Sequence, residues 1–195
     1  MHYHAEVYVP PQTLNIETFV SEAMAPYKEQ DHDDESHSDF WDWYQIGGRW
    51  TGIKTPDYVP EKDPRNFEVC QLCRGTGFRN DQIGIEARNA APTYTCNGCG
   101  KYDNEEKIWK HNLYGSGLAL KWPSSWVRHE GDILPITKVP QNLDCFTLIA
   151  NGQVFHKEKW NGDDFVKTEF NGLVIPKLKE LGIEGGFLVT VDYHS

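Results

Sequence analysis

The sequence predicts an α+β protein in which the two ends of the chain build a sheet domain around an insertion. Three observations support this prediction. Residues 2–9 and 189–194 alternate between two faces, one of them mainly apolar, which is the period of a β-strand with one buried face. Apolar residues between positions 16 and 24 recur at helical spacing. Between these regions, residues 67–103 hold four cysteines and little else that can build a core.

The composition is that of a foldable chain without a membrane segment. Of 195 residues, 38% are hydrophobic and 25% are charged, far from the composition of disordered chains. No apolar run approaches the ~20 residues that a membrane span needs, and the N-terminal residues lack the basic and apolar stretches of a secretory signal. We therefore expect a cytoplasmic protein with no membrane partner. Paired CxxC motifs in that compartment are metal ligands more often than disulfides.

The chain is acidic, with a net charge of −10. Proteins that grip phosphate backbones normally present a basic face, so the charge disfavours nucleic acid as a partner without excluding it. A basic protein partner is compatible with this charge. The simplest interpretation is that the charge keeps the protein soluble.

The first two predicted elements are a strand and a helix. The strand over residues 2–9 ends at Pro10 and points its apolar side chains to one face: Tyr3, Ala5, Val7 and Val9. Thr13 or Asn15 can cap the helix that follows, and Pro26 ends it.

The middle of the chain begins with an acidic loop over residues 31–39, where His32 and His37 are weak metal-ligand candidates in what we take to be a solvated face. The aromatic block 40–50 predicts a second strand, with Gly47-Gly48 marking a bulge or a close backbone approach. Residues 54–66 form a connector. The irregular segment that follows the cysteines has three tryptophans as expected anchors: Trp109, Trp122 and Trp126.

The last third regains regular patterns. Residues 146–156 predict a hairpin, because Asn151-Gly152 suits a type I′ turn between two apolar runs. Asp163 or Asp164 can cap a helix that runs toward Leu181, which Gly172 and Pro176 should kink or split. A final strand follows over residues 187–193.

This order of elements resembles the ferredoxin-like split βαβ pattern. We predict a ferredoxin-like α+β sheet domain over residues 1–53 and 141–195, with a zinc-binding insertion over residues 67–103. Residues 104–140 are predicted to be an irregular connector that packs on the sheet domain.

The four cysteines form two CxxC pairs, Cys70 with Cys73 and Cys96 with Cys99, separated by 22 residues. A two-residue spacer lets one tight turn present both sulfurs, and Zn²⁺ takes four thiolates tetrahedrally. Four protein ligands leave no open position, so we predict one structural Zn²⁺ that replaces a core in this segment. A redox role would need a CxxC at a helix start, which glycine-rich knuckles do not resemble. Cys145 stands alone in an apolar strand and is predicted to be a buried core thiol.

Two resemblances accompany these motifs. The run CQLCRGTG, residues 70–77, resembles one repeat of the zinc-binding region of DnaJ co-chaperones, although the other repeats and the J-domain are missing and no chaperone function is implied. More of the chain resembles a family of small, uncharacterised proteins of tailed bacteriophages and prophages. That resemblance rests on the start HYHAEV, the block WDWYQIGGRWTG at 41–52, the CxxCxGTG pair and the ending VDYH at 191–194. It implies a phage origin and supplies no activity. Because small acidic phage proteins outside the virion often bind and redirect host proteins, the resemblance favours a role in host takeover or anti-defence.

A second constellation follows from the predicted topology. If the first and last strands are antiparallel neighbours, His2 and His4 lie beside Asp192 and His194, on the face opposite the apolar residues, and Glu6 lies on the same face. Such a group could bind a second metal or act as acid and base on a phosphoester. The alternative is that these polar residues decorate a solvent-facing sheet surface.

The aromatic block supplies a further candidate site. Arg49 lies between Gly47-Gly48 and several aromatic residues, and with Trp43 and Trp50 it could hold an anion or stack on a base. The alternative is a buried aromatic core in which Arg49 pairs with a carboxylate.

Three functional hypotheses remain open. The first is a zinc-stabilised phage accessory protein that binds a host protein. The second is a metal-dependent hydrolase of nucleotides or phosphoesters that uses His2, His4, Asp192 and His194. The third is a nucleic-acid-binding zinc module. The sequence does not decide whether the protein is an enzyme.

Overall fold

The computed structural model describes residues 1–29, 39–99, 115–160 and 163–195. The predictions for His32, His37 and Trp109 lie outside these residues. The chain divides into two compact units. We call residues 1–58 with 128–195 the sheet unit, and residues 59–127 the cysteine unit.

The described residues contain ten strands and three α-helices. The strands are β1 (His2–Val9), β2 (Trp43–Ile46), β3 (Phe67–Val69), β4 (Leu118–Leu120), β5 (Ile133–Pro135), β6 (Thr147–Ala150), β7 (Gln153–His156), β8 (Glu158–Trp160), β9 (Phe165–Lys167) and β10 (Phe187–His194). The helices are α1 (Ile16–Met24), α2 (Gln82–Ala90) and α3 (Val174–Glu180). The predicted mixture of helices and sheet is therefore confirmed.

The sheet unit is built on six strands in the order β2-β10-β1-β6-β7, with β5 also paired to β10. The two longest strands, β1 and β10, are central and antiparallel, with His2 opposite His194 and His4 opposite Asp192. This neighbour relation is the one on which the predicted histidine constellation depended. On its other side β1 pairs with β6 in parallel, and β7 returns antiparallel to β6. Residues 133–135, which we expected in an irregular connector, are a strand of this sheet.

The two faces of the sheet are covered by different helices. The apolar residues of β1 pack with Val20 and Met24 of α1 in one core cluster. Leu148 and Leu188 face the other way and pack with α3 in a second cluster, which includes Val174 and Leu178. The ferredoxin-like arrangement is not confirmed, because β1 and β6 run parallel as direct neighbours and the helices lie on opposite faces.

Local sequence signals explain several boundaries in the sheet unit. The Asn15 side chain accepts a hydrogen bond from Thr18 N at 3.0 Å and caps α1. Asn151 and Gly152 have φ of 52° and 72°, as a type I′ turn requires, so the predicted hairpin of β6 and β7 is confirmed. The helix predicted to begin at Asp163 or Asp164 was placed wrongly, because residues 165–167 form β9 and the helix starts at Val174, after Gly172 at φ 94°.

The cysteine unit has a small two-stranded sheet, β3 with β4, and the helix α2. Its buried cluster consists of the four cysteines, with Ala119 packed partly against them. Asp81 caps α2 by accepting a hydrogen bond from Gly84 N. Among the described residues of this unit, the cysteines therefore occupy the place that an apolar core holds in the sheet unit.

Candidate metal centre and polar sheet face

The four predicted zinc ligands converge on one point. The ligand atoms of Cys70, Cys73, Cys96 and Cys99 lie within 4.8 Å of one another, and all four residues are buried. The sulfur of Cys70 is 3.9 Å from that of Cys96, and the sulfur of Cys73 is 3.7 Å from that of Cys99. Sulfurs at the corners of a tetrahedron with Zn–S bonds of about 2.3 Å are about 3.8 Å apart. The cluster could therefore hold a metal ion, and its donors and spacing fit tetrahedral zinc.

Backbone turns hold each cysteine pair in this geometry. Arg74 N donates to Cys70 O at 2.7 Å, and the chain then passes through positive φ values at Arg74 and Gly75. Cys70 N donates to Gly117 O at 2.9 Å, and Cys96 N donates to Gly77 O at 2.8 Å. A side chain at Gly77 would clash with the carbonyl oxygen of Gly115. Glycine is required there because two backbone segments approach closely around the cluster.

The electrostatics of the cluster favour a bound cation. Burial raises the pKa of Cys99 to about 12 and also raises the pKa of Cys96, whereas at Cys73 hydrogen bonds from the backbone and from neighbouring cysteines outweigh burial and lower the pKa. Cys96 and Cys99 are therefore costly to ionise without a cation, and a divalent ion supplies the opposite charge.

The polar face of the sheet is covered at His4, Glu6 and Asp192, so the alternative of a solvent-facing surface does not hold there. Residues 47–58 lie across it, and Lys54 is fully buried against Glu6, which is also fully buried. The ammonium group donates to Glu6 Oε2 at 2.9 Å, to the carbonyl oxygen of Leu188 at 2.8 Å and to that of Asp132 at 3.1 Å. All three ammonium hydrogens thus have acceptors.

Glu6 is the centre of this buried network. His4 Nε2 lies 3.0 Å from Glu6 Oε1, and the Thr190 hydroxyl donates to the same oxygen at 2.8 Å. Burial alone raises the pKa of Glu6, but Lys54 and His4 outweigh it and the pKa is lowered, so the carboxylate is ionised. His4 also stacks on Trp50, with ring centroids 5.6 Å apart. His4 therefore belongs to the interior of the sheet unit rather than to an accessible site.

Asp132 fixes the covering segment from its other side. Its carboxylate accepts hydrogen bonds from the Thr51 hydroxyl at 2.6 Å, from Gly52 N at 2.5 Å and from His129 N at 2.8 Å. The burial of Lys54 and Asp132 was not predicted from the sequence. Both residues lie in segments of low hydrophobicity, where a lysine or an aspartate is normally exposed, so the sequence gives no indication of their burial.

The remaining predicted residues lie at the open end of the same face. His2 Nδ1 is 2.8 Å from Asp192 Oδ1, and Asp192 Oδ2 accepts a hydrogen bond from Arg49 N at 3.0 Å. His194 pairs with a different carboxylate, because its Nδ1 is 3.0 Å from Asp42 Oδ1. The hydrogen bond to His194 lowers the pKa of Asp42. Three histidines thus pair with three separate carboxylates: His2 with Asp192, His4 with Glu6, and His194 with Asp42.

The proposed second metal site is not supported by this geometry. Among the described residues, the four cysteines are the only group of three or more His, Cys, Asp or Glu side chains whose ligand atoms lie close enough to share an ion. A metal-dependent hydrolase at His2, His4, Asp192 and His194 would need such a group.

The three aromatic-block residues have different surroundings. Trp43 is 39% exposed and lies edge-on to His2, with ring centroids 5.9 Å apart. Trp50 is half-buried against His4. Arg49 is anchored through its backbone to Asp192, and its buried Nε meets no acceptor among the described residues. The alternative in which Arg49 pairs with a carboxylate through its side chain has no support in the described contacts.

No protein-family model, no curated protein and no solved structure matches this chain. None of the helices in the described part of the chain is long and apolar enough to cross a membrane. The function must therefore be argued from the two sites themselves.

Proposed function

We propose that this is a zinc-stabilised binding protein whose cysteine unit, held together by one structural Zn²⁺, docks onto a protein partner. The observation that carries the proposal is the tetrahedral spacing of four buried sulfurs. All four ligand positions are taken by protein, which is the arrangement of structural zinc sites. Zinc binding in such sites supplies folding free energy that a small apolar core does not.

The surface of the cysteine unit supports a role in binding. Twelve large hydrophobic side chains are exposed in the described residues, and seven of them lie within residues 59–127: Val69, Leu72, Phe78, Ile83, Ile85, Leu118 and Trp122. Val69 and Leu118 are directly opposite each other on β3 and β4, so their exposed side chains form one apolar patch. Patches of this kind on a small folded unit are typical of interaction sites.

Charge favours a protein over a nucleic acid as the partner. Residues 59–127 contain nine Lys and Arg against eight Asp and Glu, so the unit has no large excess of positive charge. Binding by release of counterions needs such an excess. The resemblance to small phage proteins adds the proposal that the partner is a host protein in the cytoplasm, bound for host takeover or anti-defence.

A capture experiment with matched variants tests this proposal. The full chain is immobilised and exposed to bacterial lysate, in parallel with the patch variant Val69→Asp/Leu118→Asp. Leu14→Asp is the control, because it changes an exposed apolar residue of the sheet unit. We expect a stoichiometric protein that the wild-type chain and Leu14→Asp retain and that the double variant loses. Cys99→Ser should lose it as well, because the patch depends on the metal.

Two outcomes would count against the proposal. One is a protein retained equally by all four chains, which would place the contact outside the apolar patch. The other is selective retention of nucleic acid that declines steeply with salt, which would favour the nucleic-acid-binding alternative.

A further inference from the structure

Two neighbouring histidines at the open end of the sheet face have the same unusual arrangement. His2 and His194 are cross-strand partners, and their ring centroids are 5.3 Å apart. In each ring Nδ1 faces a carboxylate, Asp192 for His2 and Asp42 for His194. A carboxylate at Nδ1 holds the proton there in the neutral ring and leaves the Nε2 lone pair able to accept a proton.

The two histidines differ in their surroundings. Asp192 is completely buried, whereas Asp42 and His194 are 49% and 42% exposed. Asp192 can therefore stabilise a positive charge that develops on His2, while His194 exchanges protons directly with water. The Met1 amino nitrogen lies 3.2 Å from His194 Nε2, and a leaving oxygen must displace it to reach that nitrogen.

Two unpaired hydrogen-bond donors belong to residues that lie beside Asp192, the carboxylate that holds His2. Gln45 is the cross-strand partner of Asp192, and Arg49 contacts Asp192 through its backbone. Gln45 Nε2 and Arg49 Nε are buried donors that meet no acceptor among the described residues. Buried donors normally have partners, so a bound oxyanion would satisfy groups that the protein leaves unpaired.

We propose that His2 and His194 form a general acid–base pair that hydrolyses a small phosphodiester, with Trp43 as the surface on which its base stacks. The 39% exposed ring of Trp43 lies beside His2 and offers an apolar face of the kind that bases stack on. This activity is separate from the proposed partner binding and from the cysteine cluster.

The reaction needs only water as a second reactant. His2 Nε2 takes a proton from water as the water oxygen forms a bond to phosphorus. The bond from phosphorus to the leaving oxygen breaks, and His194 Nε2–H gives its proton to that oxygen. The products are a phosphomonoester and an alcohol, and exchange of one proton with solvent at each histidine restores the starting state.

Charge restricts the size of the substrate. Outside residues 59–127 the chain has ten Lys and Arg against 21 Asp and Glu, so the rest of the chain repels a long polyanion. A nucleotide-sized substrate with one phosphodiester carries a single negative charge and avoids most of this repulsion.

The test measures hydrolysis of 2′,3′-cyclic AMP and of bis(4-nitrophenyl) phosphate by the full chain between pH 5 and 9. We expect a bell-shaped dependence of kcat/KM on pH, and a loss of about 100-fold or more in His2→Gln and in His194→Gln. His156→Gln is the control, because His156 belongs to the same sheet but bonds Thr147 away from the pair. Trp43→Leu should raise KM for the cyclic nucleotide and leave kcat nearly unchanged.

Asp192 and Asp42 are positioning residues in this scheme, and the pH profile tests them. Asp192→Asn should move the limb of the pH profile that reports His2. Asp42→Asn should move the limb that reports His194. A general loss of folding would instead lower activity at every pH. Melting curves show whether each variant is folded. The proposal is overturned if the folded wild-type chain hydrolyses neither probe above the buffer rate, or if hydrolysis survives in His2→Gln/His194→Gln.

Discussion

Replacing Lys54 by methionine should destabilise the sheet unit strongly, because it leaves the buried carboxylate of Glu6 without its cation. Both side chains are fully buried, and Lys54 also satisfies two backbone carbonyls. Removing one partner of a buried ion pair costs about 3–5 kcal/mol, a large part of the ~5–15 kcal/mol by which most domains are stable. With an m value of about 2 kcal/mol/M in urea, the unfolding midpoint of Lys54→Met should fall by about 1.5–2.5 M.

The assay is urea unfolding followed by circular dichroism, with two comparison variants. Lys157→Met removes a pair with Asp144 in which the side chains are 37% and 50% exposed, and pairs of that kind are worth about 1 kcal/mol or less. Glu6→Gln/Lys54→Met removes the unpaired charge as well and should recover part of the loss. If Lys54→Met shifts the midpoint no further than Lys157→Met does, Glu6 and Lys54 are not a buried ion pair and the covering of the sheet face is wrong.

Three further predictions follow from the same contacts. The pKa of Glu6 is lower in the folded protein than its unfolded-state value near 4.5, so ionised Glu6 stabilises the fold above that value. This stabilisation is lost as the pH falls through the folded-state pKa. Acid unfolding of wild type and of Glu6→Gln measures the loss. Gly48→Ala should lower the free energy of unfolding by about 2–4 kcal/mol, since Gly48 has φ 59° and a Cβ there would lie 2.5 Å from Asp192 Cβ. Gly152→Ala is the control: Gly152 has φ 72° but open space around it, so the loss in urea unfolding should be about 1 kcal/mol. A zinc chelator should remove amide-exchange protection from the described residues of the cysteine unit, 59–99 and 115–127, and leave β1 and β10 protected. Equal loss in both units would contradict the assignment of the cysteine cluster as a local core.

The sequence predicted features that depend on neighbouring residues. Asn15 caps α1 because a side-chain oxygen reaches a backbone amide three residues later, and Asn151-Gly152 fixes a hairpin because both residues accept positive φ. Alternation predicted the face on which His2 and His194 lie, and the assumed antiparallel pairing of the first and last strands placed them side by side, as β1 and β10 do. Two CxxC pairs were sufficient to predict that four sulfurs converge.

The features that the sequence did not predict depend on contacts between distant segments. Glu6 and Lys54 are 48 positions apart, and a lysine in a connector carries no sign that it will be buried. The side of the sheet on which α3 packs depends on Leu148 and Leu188, which lie in largely apolar runs that mark no particular face. The covering of the polar face likewise depends on contacts that alternation does not reveal, such as that of Lys54 with Glu6.

The function of the cysteine cluster can be tested directly by native mass spectrometry of the full chain purified without chelator. The account predicts one zinc ion per chain, lost in Cys70→Ser and in Cys99→Ser. Cys145→Ser should keep the ion, because Cys145 is a buried thiol of the sheet unit that donates to Thr147 O. A wild-type chain that carries no zinc, or a zinc content unchanged by Cys70→Ser and Cys99→Ser, would contradict the central claim that these four thiolates hold a structural metal.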